Sequence, residues 1–327
     1  MNIANVPYLN SVAFFRHLAL SRGDQLVDVV PRQAAAAAAG GKIAAGLLPV
    51  VEFFRLESTF ERLGHFGIAT RGRAHSAILF ARTPLRYLDG ARIAVTDHTS
   101  TTACLLRLLL EQRYAVTPAA YERVVTTDPS TRATAFPQPG SGQAGRGLVL
   151  RQAQDSSRAR RSQVEGLAQN SAPPAEPVGL QTGTARRAAW QAADAVLLIG
   201  DEALRFKQTN RSFPYEFDLG FEWWLWHHLP CVFAVWAIRQ DAASQKKALE
   251  LALARSLSLT TAEFDSIAQA YAPAHGTVDE LKVYLSSFVY RFGADEEAAI
   301  RTFRELVESH GLLEPAQPTL ASVQPCG

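Results

Sequence analysis

Residues 91–110 of this 327-residue chain read ARIAVTDHTSTTACLLRLLL, and this stretch decides the fold. A short apolar run at 93–95 leads into a polar cluster, and a long apolar helical pattern follows directly, which predicts a strand, a turn and a helix. The last polar residues of the turn are Thr99, Ser100, Thr101 and Thr102. Their hydroxyls accompany the unpaired N–H groups of a helix start, an arrangement that suits a carboxylate or phosphate. The alternative is that they only cap the helix.

The composition is that of an ordinary soluble globular protein. Hydrophobic residues make up 47% and charged residues 20% of the chain, and its length suggests roughly two domains. A net charge of +2 is too small to indicate nucleic acid or a membrane surface as a partner. Cys104, Cys231 and Cys326 are far apart and show no CxxC spacing, so the sequence supports neither a zinc site nor a disulfide framework.

The first fifteen residues, MNIANVPYLNSVAFF, do not resemble a secretory signal. No basic region precedes their apolar part, and three asparagines interrupt it. The most apolar later stretch, 221–238, is broken by Glu222 and Pro230 and does not fit a membrane span. We therefore expect a cytoplasmic protein.

Other candidate binding residues follow the expected strands. A ligand in an α/β fold lies outside the carboxyl ends of the strands, and Tyr8, Asn10 and Ser11 come just after the first strand. Ser76 lies at the head of an apolar strand, 76–81. For Asn10 and Ser11 the alternative is a helix cap without any ligand.

Two further positions carry groups that can hold an anion or approach a ligand. Arg71 follows a strand at 66–69 and can bind a carboxylate with its forked guanidinium, although it can also be a solvated surface charge. Gly200 and Asp201 follow an apolar strand at 193–199. The glycine permits close approach of the backbone, and the aspartate is a suitable N-cap.

The order of elements predicts an α/β fold with two lobes. Strands alternate with helices on both sides of residues 126–187, a tract of low complexity without a sustained period that we interpret as an inserted loop. Strands at 76–81 and 231–238 are the expected crossovers, and the cleft between the lobes can close on a small anion. The predicted boundaries are 1–84 for the first part of lobe I, 85–227 for lobe II, 228–315 for the return strand and C-terminal helices, and 316–327 for a tail.

Six segments, in order, resemble the chorismate dehydratase family of the futalosine route to menaquinone. They read VPYLNSVAFF, AGLLPVVEFFR, IATRGRAHSAILFAR, DHTSTTACLLRLLL, AVLLIGDEAL and LPCVFAVWAIR. The resemblance covers nearly the whole chain outside the insertion and the tail. It implies the fold of type 2 periplasmic binding proteins, used as a cytoplasmic carbon–oxygen lyase. The implied substrate is chorismate, the products are 3-(1-carboxyvinyloxy)benzoate and water, and no metal or organic cofactor is implied.

The resemblance also implies roles for the candidate residues. Asn10 and Ser76 are the expected catalytic residues. The expected substrate-binding residues are Tyr8, Ser11, Arg71, Thr99, Ser100, Thr101, Thr102, Gly200 and Asp201. A neutral asparagine is a poor base, so our hypothesis is that the enolpyruvyl carboxylate of the substrate takes the proton while Asn10 orients it.

Two alternatives compete with this interpretation. The sister enzyme of the pathway, which has the same fold and forms dihydroxynaphthoate, needs a pocket for a larger substrate. A non-catalytic small-anion binding protein would carry an export signal or an anchor cysteine near its start, which this sequence lacks. The polar residues at 10–11 and 100–102 favour the dehydratase.

Overall fold

The computed structural model describes residues 1–29, 31–96, 99–124, 190 and 192–313. The inserted loop predicted at 126–187 and the tail predicted at 316–327 lie outside these ranges. Within them the chain forms two β-sheets with helices packed around them, as the alternation of strands and helices predicts.

The first sheet has six strands in the order β11, β4, β10, β3, β1, β2. Its strands are β1 (Asn2–Asn5), β2 (Gln25–Asp28), β3 (Ala45–Pro49), β4 (Phe60–Thr70), β10 (Cys231–Arg239) and β11 (Phe288–Arg291). β1 runs parallel to β2 and β3, whereas β10 is antiparallel to β3 and β4. All five residues of β3 are buried, as expected of a central strand covered on both faces.

The second sheet has five strands in the order β7, β6, β8, β5, β9. Its strands are β5 (Ala77–Ala81), β6 (Arg92–Thr96), β7 (Ala120–Val124), β8 (Ala195–Ile199) and β9 (Tyr215–Asp218). β6 is parallel to β7 and β8, so the carboxyl ends of β6 and β8 meet at one edge of the sheet. The segments that follow these two ends are those that carry the predicted hydroxyl cluster and Gly200.

Ten α-helices in the described ranges surround the sheets. They are α1 (Val12–Phe15), α2 (Pro31–Ala39), α3 (Val50–Leu56), α4 (Thr101–Leu108), α5 (Gly200–Thr209), α6 (Leu219–His227), α7 (Lys246–Thr261), α8 (Phe264–His275), α9 (Val278–Ser286) and α10 (Ala294–Ser309). Short 3-10 turns occupy Leu9–Ser11, Leu85–Tyr87 and Gln240–Gln245, and a π-helical turn extends α4 over Leu109–Arg113. None of the helices described has both the length and the apolar character needed to cross a membrane.

The path between the sheets differs from the predicted one. The strand expected as the outward crossover, now β5, pairs with β8 and β9 and so lies within the second sheet. The chain therefore changes sheet in the turn between Thr70 and Ala77, earlier than the predicted boundary after residue 84. It returns through α6, between Asp218 and Cys231. The apolar pattern of β5 identifies a buried strand, but the identity of its neighbours depends on long-range pairing.

Candidate active site between the two lobes

A cleft separates the two sheets and has an empty volume of about 650 Å³, part of it open to solvent. Its walls come from the turns after β1, β6 and β8, from the end of β3, and from β4, β10 and β11. The predicted residues on its surface are Tyr8, Asn10, Ser76, Thr99, Ser100, Thr101, Thr102 and Gly200. Asn10 and the cluster at 99–102, which belong to different lobes, therefore face one shared cavity.

The cleft is lined by neutral groups. None of the side chains described on its surface carries a charge, and its apolar walls include Leu47, Ile68, Phe233 and Phe288. The groups that could hold an anion in this cleft are therefore hydroxyl and N–H dipoles that are already in place. Apolar walls of this kind, two of them aromatic, suit an unsaturated ring.

The start of α4 provides the densest group of donors. Ser100 is the N-cap residue, but its side chain makes no capping bond, and its buried hydroxyl oxygen has no partner among the described residues. The first N–H groups of α4 also lack acceptors within the helix. Thr101 instead accepts a hydrogen bond from the N–H of Val51 in α3, with 3.3 Å between Oγ1 and N, and so joins the two lobes beside the cleft. Ser100 is therefore the N-cap by position, as the cap alternative has it, but its hydroxyl makes no capping bond and remains available to a ligand.

Asn10 faces the cleft from the 3-10 turn of lobe I. The residue is partly exposed, and its side-chain amide makes no hydrogen bond with any residue in the described ranges. An amide without a structural partner at a cavity wall can bind a ligand through its N–H donors and its carbonyl acceptor.

Ser76 is buried at the head of β5, where a tight turn positions it. The carboxylate of Asp218 accepts hydrogen bonds from the backbone N–H groups of Ala74 and His75, at 2.9 and 2.7 Å, and from that of Phe221 at 3.1 Å. His75 has φ +61°, a left-handed conformation that this clamp helps to maintain. Burial lowers the pKa of the His75 imidazole, which disfavours a positive charge on this ring beside Ser76.

Asp201 holds the lobes together and does not line the cleft. Its Oδ1 accepts a hydrogen bond from the N–H of Leu9 in the other lobe at 2.9 Å, and its Oδ2 lies 3.7 Å from Nε2 of His275 in α8. Helix α5 begins at Gly200, with Ile199 as the N-cap residue, so Asp201 is not the cap either. These contacts correct the predicted substrate-binding role, because both carboxylate oxygens face protein groups.

Ser11 also has a structural position. Its side chain is fully buried, and its hydroxyl donates to the carbonyl oxygen of Val6, with the carbonyl oxygen of Tyr8 at 2.8 Å. The single hydroxyl proton is therefore used inside the turn, and the residue does not reach the cleft wall. The predicted contact of Ser11 with substrate is corrected accordingly.

Arg71 lies on the outer side of the molecule. Its guanidinium binds Oε1 of Glu296 at 2.9 Å and Oδ2 of Asp295 at 3.1 Å, at the start of α10. Glu296 is almost completely buried, and a buried carboxylate requires a partner of this kind. The predicted carboxylate contact exists, but the carboxylates belong to the protein and not to a ligand.

The sequence pattern does not predict that several other residues contribute to the site. Phe233 and Phe288 read as core residues of apolar strands, although both line the cleft. Tyr284 of α9 donates a hydrogen bond to Ser76 Oγ at 3.0 Å, from more than 200 positions away along the chain. Asp218 precedes a helix and can be identified as an N-cap from sequence, but its clamp on the turn before Ser76 cannot.

Gly200 is required where the backbone of lobe II meets the ring of Tyr8. Its φ is +58°, and a Cβ at this position would lie 3.0 Å from Cδ2 of Tyr8. We expect Gly200→Ala to lose roughly 1–2 kcal/mol of folding free energy to the left-handed backbone, plus about 1 kcal/mol because the ring must move. Gly90→Ala is the matched control, since Gly90 has φ +69° and nothing within 4 Å of the new methyl group. Urea unfolding that gives equal losses for both variants would contradict the contact with Tyr8.

The described residues contain no group of three or more His, Cys, Asp or Glu side chains that could hold a metal ion. The described lining of the candidate site consists of hydroxyl, amide and backbone groups on apolar walls. A ligand cleft of this kind between two α/β lobes places the chain in the class of type 2 periplasmic-binding-protein-like folds. A crystallised protein from Archaeoglobus fulgidus has the same fold, with TM-score 0.61 and 17% identity over 95% of this chain and 97% of its own. The aliphatic sulphonate binding protein SsuA from Escherichia coli also matches, with TM-score 0.52 and 11% identity over 96% and 94%.

Sequence comparison identifies the family within this class. The family model described as "Menaquinone biosynthesis" matches residues 1–135 and 173–309, so the chain belongs to that family. A curated chorismate dehydratase from Thermus thermophilus is 24% identical over 318 residues, which span 93% of this chain and 94% of that protein. The family resemblance of the six segments is confirmed.

Proposed function

We propose that this protein is a chorismate dehydratase, which eliminates water from chorismate to give 3-(1-carboxyvinyloxy)benzoate. Membership of the menaquinone biosynthesis family and the likeness to the Thermus thermophilus enzyme support the proposal. The observation that carries it is the shared cleft, where Asn10 and Ser76 face the hydroxyl cluster at the start of α4.

The proposed reaction makes modest chemical demands on the protein. The C–H bond beside the ether and the C–O bond of the neighbouring hydroxyl break, and the proton and hydroxyl leave together as water. The elimination is strongly downhill because the ring becomes aromatic. The protein therefore has to bind two carboxylates and fix the orientation of the ring. Preorganised dipoles can bind the carboxylates, and apolar walls can orient the ring.

Each part of the cleft has a role in this proposal. The hydroxyls and N–H groups at Ser100, Thr101 and Thr102 bind the ring carboxylate. Asn10 orients the enolpyruvyl carboxylate, which takes the ring proton, and the hydroxyl of Ser76 donates a hydrogen bond to the departing hydroxyl group. No charged side chain is required, which agrees with the neutral lining of the described cleft.

A direct assay tests the proposal. Purified protein incubated with chorismate should produce an aromatic compound lighter by one water, followed by ultraviolet absorbance and mass spectrometry, while heat-denatured protein should produce none. The fold is shared with the sulphonate binding protein SsuA, so binding without chemistry is the competing outcome. Chorismate that binds the folded protein and is recovered unchanged would refute the dehydratase proposal and support a binding protein.

A further inference from the structure

The side chain of Ser76 forms a hydrogen bond with Tyr284, a residue of the C-terminal helices that does not line the cleft. The hydroxyl of Tyr284 lies 3.0 Å from Ser76 Oγ, and the two residues are 1% and 4% exposed. At this burial the phenol of Tyr284 is shielded from bulk water, so its partner is set by the protein.

The direction of this hydrogen bond follows from the chemistry of the two groups. A phenol is a stronger acid than an aliphatic alcohol and is the better donor of the pair. Burial raises the pKa of Tyr284 well above its ordinary value, so the phenol keeps its proton over the whole neutral range. Among the described residues, Ser76 Oγ is the acceptor in reach of that proton.

The hydrogen bond from Tyr284 restricts the directions in which the O–H of Ser76 can point. Because Oγ accepts from Tyr284, the serine O–H must point away from the phenol, and Ser76 lines the cleft whereas Tyr284 does not. The backbone on this side is also held, since the carbonyl oxygen of Ser76 accepts from the N–H of Gly200 at 2.7 Å.

We propose that Tyr284 is a positioning residue that makes the Ser76 hydroxyl a hydrogen-bond donor into the cleft. The group bound at Ser76 is therefore an acceptor, such as an alcohol or carboxylate oxygen of the ligand. The catalytic consequence rests on the proposed function, in which that acceptor is the departing hydroxyl group. The orientation of the Ser76 hydroxyl does not depend on the proposed function.

A crystal structure of the Tyr284→Phe protein tests the orientation itself. We expect Ser76 Oγ to occupy one rotamer in the parent protein and at least two in the variant, because the phenol no longer holds it. Tyr290→Phe is the matched control, since Tyr290 is also buried and its hydroxyl has no partner among the described residues. A single unchanged Ser76 rotamer in the Tyr284→Phe crystal would overturn the proposal.

Kinetics with chorismate test the catalytic consequence. We expect Tyr284→Phe to lower kcat about tenfold with little change in KM, and Tyr290→Phe to leave both unchanged. Because Tyr284 acts through Ser76, adding Tyr284→Phe to Ser76→Ala should lower kcat no further. Independent, multiplying losses would show that Tyr284 acts by another route. A parent protein without turnover would refute the proposed function, and the rotamer comparison would still decide the role of Tyr284.

Discussion

Replacing Asn10 with alanine should lower kcat for chorismate by about 100-fold, because a carboxylate that is misplaced by about 1 Å loses an effect of that size. Asn10 is the amide at the cleft wall that would hold the enolpyruvyl carboxylate against the ring proton. Its side chain has no hydrogen bond within the described ranges, so the unfolding midpoint should stay the same. Steady-state kinetics and urea unfolding of the same sample separate the two effects.

Asn2→Ala is the matched control for this experiment. Asn2 lies at the far end of β1, where its side-chain amide donates to the carbonyl oxygen of Lys42 at 2.9 Å, away from the cleft. We expect this variant to keep the parent kcat within about twofold, as is usual for a surface substitution. Turnover of chorismate by Asn10→Ala at the parent rate would exclude the orienting role of Asn10.

The largest expected loss of stability comes from Gly67→Ala. Gly67 lies in β4, and a Cβ there would be closer than 3.0 Å to the ring of Phe292 and to the carbonyl oxygen of Ala234. The carbonyl belongs to the neighbouring strand and cannot move aside as a side-chain end can. Overpacking of this kind costs about 3 kcal/mol, at the upper end of the usual range, and urea unfolding measures it.

Gly293→Ala controls for the added methyl group. Its φ is outside the left-handed region, and the new Cβ would touch only Oε2 of Glu296, at 3.6 Å. Gly293 is the N-cap of α10, so we expect a loss below about 1 kcal/mol. Similar unfolding midpoints for the Gly67 and Gly293 variants would mean that β4 and β10 can separate more easily than their packing indicates.

The neutral lining of the described cleft shows which groups could bind the carboxylates of a ligand. Arg71 is the basic residue that the sequence offers for a carboxylate, and it lies outside the cleft, bound to Glu296. The start of α4, with the unpaired hydroxyl of Ser100, supplies donors in its place. In the proposed function a dicarboxylate is therefore bound by dipoles alone, which hold charge without the cost of burying an unpaired guanidinium.

Local pattern identifies those parts of the site that follow directly from a strand. Asn10 and Ser100 each stand just after an apolar strand, and parallel strands in such a fold bring their carboxyl ends to the ligand. The same pattern includes Ser11 and Asp201, which turn their polar atoms toward Val6 and Leu9. Spacing along the chain gives the position of a side chain, but not the partner that it finds.

The amino-acid sequence by itself determined the two-lobed α/β class, the general alternation of strands and helices, and the polar turns that would face a ligand, because hydrophobic periodicity and turn chemistry are local properties. Only the tertiary structure decided that β5 belongs to the second sheet, that Asp201 joins the lobes, and that Tyr284 meets Ser76. These features depend on which distant segments pack together. Alternative pairings of apolar segments bury similar areas and have similar free energies, so one pairing is favoured only when the contacts of the whole chain are combined.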